Sequence, residues 1–139
     1  LYLDDKIRGK SLLIVDDSIV RGTTAKRIVE DLRRRGAIRV YFAATCPPQT
    51  DPCYYGIDIS TGSELIASNT SLAGIEQFIG ADALIYQDMD GLINAIGLRD
   101  LCLACLGEEY PTEYAKHIRD RVGNSRADPA TRDYEREFD

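Results

Sequence analysis

The sequence predicts an α/β fold built on a parallel sheet, and three observations support this prediction. Two apolar runs, residues 10–15 and 39–45, lack polar alternation and are typical of strands buried on both faces. An amphipathic helix pattern lies between them, as in a parallel crossover. Two adjacent carboxylates, Asp16 and Asp17, follow the first run at the edge where open α/β sheets bind ligands.

The helix between the two strands is predicted from residue spacing. Apolar residues recur at positions i, i+3, i+4 and i+7 and define one face, which consists of Ala25, Ile28, Val29 and Leu32. The arginines at 33–35 lie in the last turn and are interpreted as a solvated end that suits the helix dipole. Gly36 is suited to the position after the C-cap.

The second half of the chain predicts shorter elements. A rigid proline-rich loop spans residues 46–53, an irregular segment spans 54–61, and residues 64–67 and 83–86 are predicted as short strands. Ser71 and Asp88 are predicted N-caps of two helices that end at Gly80 and Gly97. The predicted buried faces of these helices are Leu72, Ile75, Phe78 and Ile79 in the first, and Leu92, Ile93 and Ile96 in the second.

Composition limits the class of protein. The 139 residues suffice for one ordinary domain, and the 44% of hydrophobic residues is in the globular range. A net charge of −6 argues against a nucleic-acid partner, and neither a membrane span nor a signal peptide is predicted. We expect a soluble, cytoplasmic protein with no membrane partner. Because residue 1 is Leu, we also expect that an N-terminal part is missing.

The carboxylate pair and the loop at 18–24 form the main candidate site. Asp16 and Asp17 could be a helix cap beside a solvated acid, or could bind a metal ion or sugar hydroxyls. In the loop, a glycine permits close backbone approach, and an arginine, hydroxyl groups and amides at a helix N-terminus suit an anion. The loop residues concerned are Ser18, Arg21, Gly22, Thr23 and Thr24. Together the acids and the loop predict a ribose 5-phosphate site.

Four cysteines form a second candidate site. Disulfides are not expected in a cytosolic protein, because that compartment keeps thiols reduced. Cys102 and Cys105 have the Cys-x-x-Cys spacing of metal sites, iron–sulfur clusters and redox dithiols. Reduced core cysteines remain the alternative, for this pair as for Cys46 and Cys53.

The stretch 12–24, Leu-Leu-Ile-Val-Asp-Asp-Ser-Ile-Val-Arg-Gly-Thr-Thr, resembles the phosphoribosyl pyrophosphate (PRPP) motif of type I phosphoribosyltransferases. Within that fold it is most similar to the iron–sulfur type of the amidophosphoribosyltransferase (glutamine PRPP amidotransferase) family. The similarity extends over residues 9–112 through separate motifs that keep their order. These motifs lie at residues 47–48, 55–58, 64–67, 79–82, 102–105 and 107–112.

The resemblance implies a parallel-sheet phosphoribosyltransferase core, incomplete in this chain, with a C-terminal helical extension. It implies that Asp16 and Asp17 bind the ribose hydroxyls of PRPP and its Mg²⁺, and that residues 21–24 hold the 5-phosphate beside Ser18. In the family, ammonia released from glutamine in an N-terminal domain displaces pyrophosphate, giving 5-phosphoribosylamine in the first step of purine biosynthesis. No catalytic residue is assigned within this stretch, and the isolated chain is expected to be inactive.

The resemblance also implies cofactors and partners. Cys53, Cys102 and Cys105 match three of four ligands of a structural [4Fe–4S] cluster, the fourth lying outside this chain, and Cys46 is left out. A homotetramer and feedback inhibition by purine nucleotides are usual in the family. Residues 1–112 are then the transferase part, and 113–139 a helical and mobile tail. The alternatives are a non-catalytic PRPP- or nucleotide-binding regulator and a free iron–sulfur or zinc module.

Overall fold

The computed structural model describes residues 4–56 and 62–124, and it consists of three strands and six helices within these ranges. The strands are β1 (Ser11–Asp16), β2 (Arg39–Ala44) and β3 (Ala83–Tyr86). The helices are α1 (Asp4–Ile7), α2 (Thr23–Arg34), α3 (Ile66–Asn69), α4 (Leu72–Ile79), α5 (Met89–Ile96) and α6 (Glu113–Asn124). Short 3₁₀ turns occur at Gly62–Glu64 and Ala104–Leu106. The predicted α/β fold with a parallel sheet is confirmed.

The sheet has the order β1-β2-β3, and both pairs of strands are parallel. The register aligns Asp16 with Ala44 and Ala44 with Tyr86, so the carboxyl ends of all three strands lie on one edge. Ligands of open α/β sheets bind beyond this edge. The sheet therefore brings the carboxylate pair and the proline-rich loop after β2 to the same side of the fold.

One face of the sheet carries the main core. Val40, Phe42 and Ala44 of β2 are buried against apolar side chains of α2 and α4. The helix residues that are buried in this core are Ala25, Val29, Leu32, Ile75 and Ile79. The predicted face of α2 is confirmed, with Ile28 partly buried against the same core.

The prediction that β1 is buried on both faces is wrong for the described residues. Leu13 and Val15 are 59% and 62% exposed, and Ile85 of β3 is exposed on the other side of the sheet from the core. The reason is that α2 and α4 both pack on the face that carries Leu12 and Ile14. An apolar run shows that a strand resides in a sheet interior, but it does not reveal which element covers each face.

Helix ends follow local chemistry. Ser71 Oγ accepts a hydrogen bond from Gly74 N (3.2 Å) and Asp88 Oδ1 accepts one from Gly91 N (2.6 Å), which confirms both predicted N-caps. The predicted helix ends are also confirmed, since the C-cap residues Gly80 and Gly97 both have positive φ.

Other local predictions require correction. Residues 64–67, predicted as a strand, lie in the 3₁₀ turn and α3 because the Asn69 amide donates to the Gly62 and Leu65 carbonyls and closes a helical turn there. The predicted buried faces of α4 and α5 are also too wide. Leu72 and Ile96 are exposed, and Phe78 is 39% exposed although its ring contacts the start of α2. The loop predicted to reach residue 24 ends earlier, as α2 begins at Thr23.

Arg33 and Arg35 are ion-paired rather than simply solvated. Arg35 pairs with Asp4 (2.6 Å) and Asp31 (3.1 Å) and thereby joins α1 to α2. Arg33 Nη2 donates to Asp82 Oδ2 (2.8 Å) and to the Gly80 carbonyl (3.0 Å). These contacts fasten α2 to its neighbours on both sides.

Asp82 joins three elements at the start of β3. Its Oδ2 accepts from Val40 N (2.7 Å) as well as from Arg33, and its own N–H donates to the Val40 carbonyl (2.8 Å). The Val40 N–H, followed by the Arg33 guanidinium, lowers the pKa of the Asp82 carboxyl below its ordinary value of 3.8. The ionised form of Asp82 therefore stabilises the β2–β3 pairing.

A smaller cluster forms around Tyr110. This buried ring stacks at a tilt against Tyr54 (5.1 Å between centroids), packs near Ala104 and Ala115, and donates its hydroxyl proton to the Pro52 carbonyl (2.6 Å). Tyr55 contacts the same ring (6.3 Å between centroids). Through Ala115, helix α6 packs on this cluster.

Two expectations concern segments that the structure does not describe, and a third concerns membrane spans. The predicted mobile tail after residue 124 and most of the irregular segment 54–61 lie outside the described ranges. Within the described ranges, no helix is long and apolar enough to cross a membrane.

Gly22 lies at the junction of α2, α3 and α4. Its φ is +73°, a conformation that L-residues other than glycine seldom adopt. A Cβ at this position would lie 3.0 Å from Ile66 Cδ1 and 3.1 Å from Phe78 Cε1. Both the backbone conformation and the packing therefore require glycine here.

We predict that Asp82→Asn lowers the free energy of unfolding at pH 7 and that the difference in this free energy between wild type and variant shrinks at acidic pH. Because the folded-state pKa of Asp82 is lowered, its contribution is present above the unfolded value of 3.8 and is lost as the pH falls through the folded value. Urea unfolding at pH 7, 5, 4 and 3.5 measures this. Glu30→Gln, an exposed residue of α2 without an ion pair to any described residue, is the control. If the difference in unfolding free energy between wild type and Asp82→Asn grows towards pH 3.5, the stabilising role of the ionised Asp82 is contradicted.

We predict that Gly22→Ala lowers the free energy of unfolding by about 2–4 kcal/mol, from about 1 kcal/mol of backbone strain plus overpacking against Ile66 and Phe78. Gly9→Ala is a matched control because Gly9 has nearly the same φ (+72°) and no atom within 4 Å of an added Cβ. Gly9→Ala should cost about 1 kcal/mol in the same urea titration. Equal losses in the two variants would show that packing around Gly22 contributes nothing.

Candidate functional site

The backbone of the carboxylate pair is anchored to the end of β2. Thr45 N donates to the Asp16 carbonyl (2.9 Å) and Cys46 N donates to the Asp17 carbonyl (2.9 Å). These bonds extend the β1–β2 pairing beyond both strands. The two acids are therefore held rigidly at the edge of the sheet, although they precede a loop.

The carboxylates themselves are engaged on one oxygen each. Asp16 Oδ1 accepts from Asp17 N (3.0 Å), and Asp17 Oδ1 accepts from Ser18 N (2.6 Å) and Ser18 Oγ (3.2 Å). Among the described residues, no hydrogen bond uses the Oδ2 atoms. Two carboxylate oxygens thus remain for hydroxyl donors or for a hard cation, which prefers oxygen ligands.

The N-terminus of α2 lies beside the acids without a side-chain cap. Gly22 occupies the N-cap position and no side chain accepts from the first turn. The first amides of a helix have no intrahelical acceptor, and the helix dipole favours an anion there. Thr23 and Thr24 are exposed and add hydroxyl groups. The end of α2 can therefore bind a phosphate-sized anion.

A single pocket of about 570 Å³ joins these groups. Its lining comprises Asp16, Asp17, Ser18, Ile19, Val20, Arg21, Gly22, Thr23, Thr24, Ala25 and Gln49. The structure therefore brings together all seven residues that the sequence singled out around the acids and the loop. The volume is within the range of small-molecule sites.

Arg21 lines the pocket but has a partner of its own. Its Nη2 donates to Glu64 Oε1 (2.7 Å), and both side chains remain partly exposed. The neighbouring Val20 carbonyl accepts from Ile66 N (2.9 Å). The loop is thus held against α3 and the 3₁₀ turn before it, and an anion that recruits Arg21 must compete with Glu64.

A second pocket of about 180 Å³ contains the other candidate residues. Cys53, Cys102 and Cys105 line it together with Pro52, Tyr55, Ala104 and Tyr110. All four cysteines of the chain are free thiols. Burial raises the pKa of the Cys105 thiol, and Cys53 adds to this increase. The structure therefore gathers the three predicted cluster cysteines on one pocket.

The thiols of the cysteine pocket are possible ligands of a zinc ion or an iron–sulfur cluster. Three thiols suit a zinc ion or an iron–sulfur cluster, and a cluster takes four. Within the described ranges, no three His, Cys, Asp or Glu side chains are arranged closely enough to hold a metal ion. The residue types fit such a group, but among the described residues the three thiols do not lie close enough together to form a metal-binding set.

Cys46 is not among the residues that line either pocket. Burial and the neighbouring Asp17 raise the pKa of its thiol. Tyr86 lies nearby at the end of β3, where burial, with a contribution from Cys46, raises the pKa of its hydroxyl to about 12. Tyr86 Oη and Gln49 Oε1 are buried without a hydrogen-bond partner among the described residues.

Two residues of the site were missed by the sequence analysis. Gln49 lines the carboxylate pocket, and Glu64 neutralises Arg21. Gln49 follows Pro47-Pro48 in a rigid loop after β2, which is a weak signal for a site residue. Glu64 had no local signal because its contact with Arg21 spans 43 positions of the sequence.

Comparison with known proteins gives relatives over most of the chain, although no family model matches it. The amidophosphoribosyltransferase of Methanocaldococcus jannaschii is 51% identical over 107 residues, covering 77% of this chain and 23% of the relative. The amidophosphoribosyltransferase of Bacillus subtilis is 49% identical over 127 residues, covering 84% of this chain and 27% of the relative. The chain thus spans about a quarter of the length of these curated relatives.

Solved structures agree with the sequence relatives. Glutamine PRPP amidotransferase from B. subtilis, complexed with ADP and GMP, superposes with a TM-score of 0.74 at 48% identity, over 80% of this chain and 26% of that one. A structure described as the allosteric regulatory enzyme of purine biosynthesis gives the same TM-score and identity. The sheet and helices are therefore those of a type I phosphoribosyltransferase fold. The chain therefore matches the C-terminal phosphoribosyltransferase part of the amidophosphoribosyltransferases.

Proposed function

We propose that this chain supplies the ribose-phosphate half of a PRPP site in an amidophosphoribosyltransferase. The observation that carries the proposal is one pocket in which paired carboxylates, Asp16 and Asp17, face the uncapped N-terminus of α2. Carboxylates accept hydrogen bonds from vicinal hydroxyls, and helix amides donate to a phosphate. A sugar phosphate meets both requirements at once, with its hydroxyls at the acids and its phosphate at the loop.

The residue roles follow from this orientation. Asp16 and Asp17 bind the ribose hydroxyls, and their remaining oxygens hold the Mg²⁺ that accompanies PRPP. Gly22, Thr23 and Thr24 hold the 5-phosphate through backbone amides and hydroxyls, and Ser18 keeps Asp17 oriented. Arg21 leaves Glu64 to bind the phosphate, since a charge-assisted bond to a dianion can replace the exposed ion pair.

The reaction proposed for the whole protein is the transfer of ammonia from glutamine to PRPP. Water hydrolyses the side-chain amide of glutamine to give glutamate and ammonia. Ammonia then forms a bond to C1 of the ribose and loses a proton, the bond from C1 to pyrophosphate breaks, and the products are 5-phosphoribosylamine and pyrophosphate. This is the first step of purine biosynthesis. The residues of this chain contribute by positioning the ribose and its charges, and none of them forms a covalent intermediate.

The cysteine pocket is proposed as part of a structural [4Fe–4S] site. Cys53, Cys102 and Cys105 would provide three thiolates, and a cysteine outside this chain would provide the fourth. All three cysteines line one pocket, which supports this proposal. When bound, the cluster would fasten residues 102–105 to the loop that carries Cys53.

Regulation, assembly and organisation are proposed by analogy with the relatives. The B. subtilis structure contains ADP and GMP, which supports purine nucleotides as feedback inhibitors here. We further propose a cytoplasmic homotetramer in which residues 1–112 belong to the transferase unit and residues 113–139 form a C-terminal extension.

We predict that Asp16→Asn combined with Asp17→Asn lowers kcat/KM for PRPP by about 100-fold or more in the protein that carries this chain, because both ribose and Mg²⁺ contacts lose their charge. Glutaminase activity should remain at least in part. Kinetics with varied PRPP and Mg²⁺ measure the effect. Asp90→Asn with Asp100→Asn, two exposed acids, is a control of equal charge. Unchanged PRPP kinetics in the first variant would refute the assigned role.

We predict that Cys105→Ser removes bound iron and acid-labile sulfide from the anaerobically reconstituted protein that carries this chain. A lost thiolate leaves the cluster below its required four ligands. Cys46→Ser is the matched control and should retain iron and sulfide, since Cys46 does not line the pocket. Equal loss in both variants would contradict the ligand assignment, and an iron-free, fully active wild type would exclude the cluster.

A further inference from the structure

Arg21 and Glu64 form an ion pair at the edge of the carboxylate pocket. Among the described residues that line this pocket, Arg21 is the only cation, whereas Glu64 is not part of the lining. Arg21 Nη2 donates to Glu64 Oε1 (2.7 Å), and the two residues lie 43 positions apart in the sequence. The cation that would face an anion in the pocket is therefore paired with a carboxylate from another segment.

Both partners of this ion pair are accessible. The side chain of Arg21 is 56% exposed and that of Glu64 is 34% exposed. Exposed ion pairs contribute little to stability, because water screens them and both side chains lose rotamer freedom. Arginine forms charge-assisted hydrogen bonds with phosphate as readily as with carboxylate. A phosphate can therefore take the place of Glu64 on Arg21 at little cost to the fold.

The backbone that carries Glu64 stays at the loop when the ion pair opens. Ile66 N donates to the Val20 carbonyl (2.9 Å), and the side chain of Ile66 packs on the loop, since a Cβ added to Gly22 would lie 3.0 Å from Ile66 Cδ1. Neither contact involves the carboxylate of Glu64. Glu64 is thus tethered beside Arg21 at a high effective concentration, and it competes with any anion that Arg21 binds.

A sugar phosphate keeps its phosphate group when the reaction takes place at C1. A contact between Arg21 and that phosphate therefore contributes equally to the binding of the substrate, the transition state and the product. Binding of this uniform kind lowers KM without raising kcat, and it delays the release of the product. A carboxylate that returns to Arg21 weakens the phosphate contact in all these states and shortens the time for which the product is held.

We propose that Glu64 is an exchange partner of the phosphate ligand, whose carboxylate gives up Arg21 when the phosphate binds and takes Arg21 back when the product leaves. Glu64 then sets the phosphate affinity of the pocket and favours product release from outside the pocket lining. This inference rests on the proposed function, because it takes a phosphate ester as the ligand and Arg21 as its contact. Only ion pairs exchange, and no proton or covalent bond is transferred.

The test is a titration of the full 139-residue chain with inorganic phosphate at low ionic strength, followed by the NMR shifts of the Thr23 and Thr24 amides. Glu64→Gln should tighten phosphate binding about 2- to 5-fold, which is the usual strength of an exposed ion pair. Glu30→Gln, the same change on the exposed surface of α2, should leave the affinity unchanged. In an Arg21→Gln background, Glu64→Gln should give no gain, because the two residues act as a unit.

Kinetics of the protein that carries this chain separate exchange from a structural role of Glu64. Glu64→Gln should lower KM for PRPP about 2- to 5-fold without lowering kcat/KM, because the phosphate no longer competes with a carboxylate for Arg21. A variant that merely loosens the loop would instead raise KM or lower kcat/KM, and that result would contradict the exchange.

Three results of the titration would overturn the inference. If Glu64→Gln binds phosphate as the wild type does or more weakly, Glu64 does not compete for Arg21 and the proposed function stands. If the gain is equal with and without Arg21, Glu64 only repels the anion and the exchange is wrong. If phosphate shifts neither amide in the wild-type chain, the proposed function falls together with the inference. Glu64→Ala, which removes the acceptor altogether, repeats the test should the glutamine variant fail to fold.

Discussion

The hydrogen bonds from Thr45 N and Cys46 N to the carbonyls of Asp16 and Asp17 carry the β1–β2 pairing past the ends of both strands. Without them the two acids would lie in a loop and could follow its motion. With them the acids share the rigidity of the sheet, whose opposite end is closed by Asp82 between β2 and α2. A preorganised pair of charges at a sheet edge is what a positioning site requires.

The loop that leaves β2 connects the two candidate sites. It begins at Cys46, whose amide contacts Asp17, places Gln49 in the carboxylate pocket, and ends with Thr50 and Asp51 bonded to the Cys105 carbonyl. The cysteine pocket and the carboxylate pocket are therefore connected by one short, hydrogen-bonded loop. Disturbing the cysteine segment is therefore expected to displace Gln49.

The N-termini of the helices differ in how they are capped. Helices α4 and α5 are capped by Ser71 and Asp88, whereas α2, the longest of the three, begins at Gly22 with no cap. A capping side chain would occupy the amides that face the pocket. Gly22 also lets Ile66 and Phe78 approach the loop closely, so the uncapped end is supported by packing rather than by hydrogen bonds.

The sequence by itself determined the parallel α/β fold and the capped and glycine-ended helices, and it predicted a candidate site at residues 16–24, because these depend on periodicity, local hydrogen bonds and short-range chemistry. It could not determine which sheet face is covered, so Leu13 and Val15 were expected to be buried and are exposed. Only the tertiary structure decided that Glu64 pairs with Arg21 and that Gln49 enters the pocket. Both contacts join segments distant in sequence, and their energies arise only when the chain has brought those segments together.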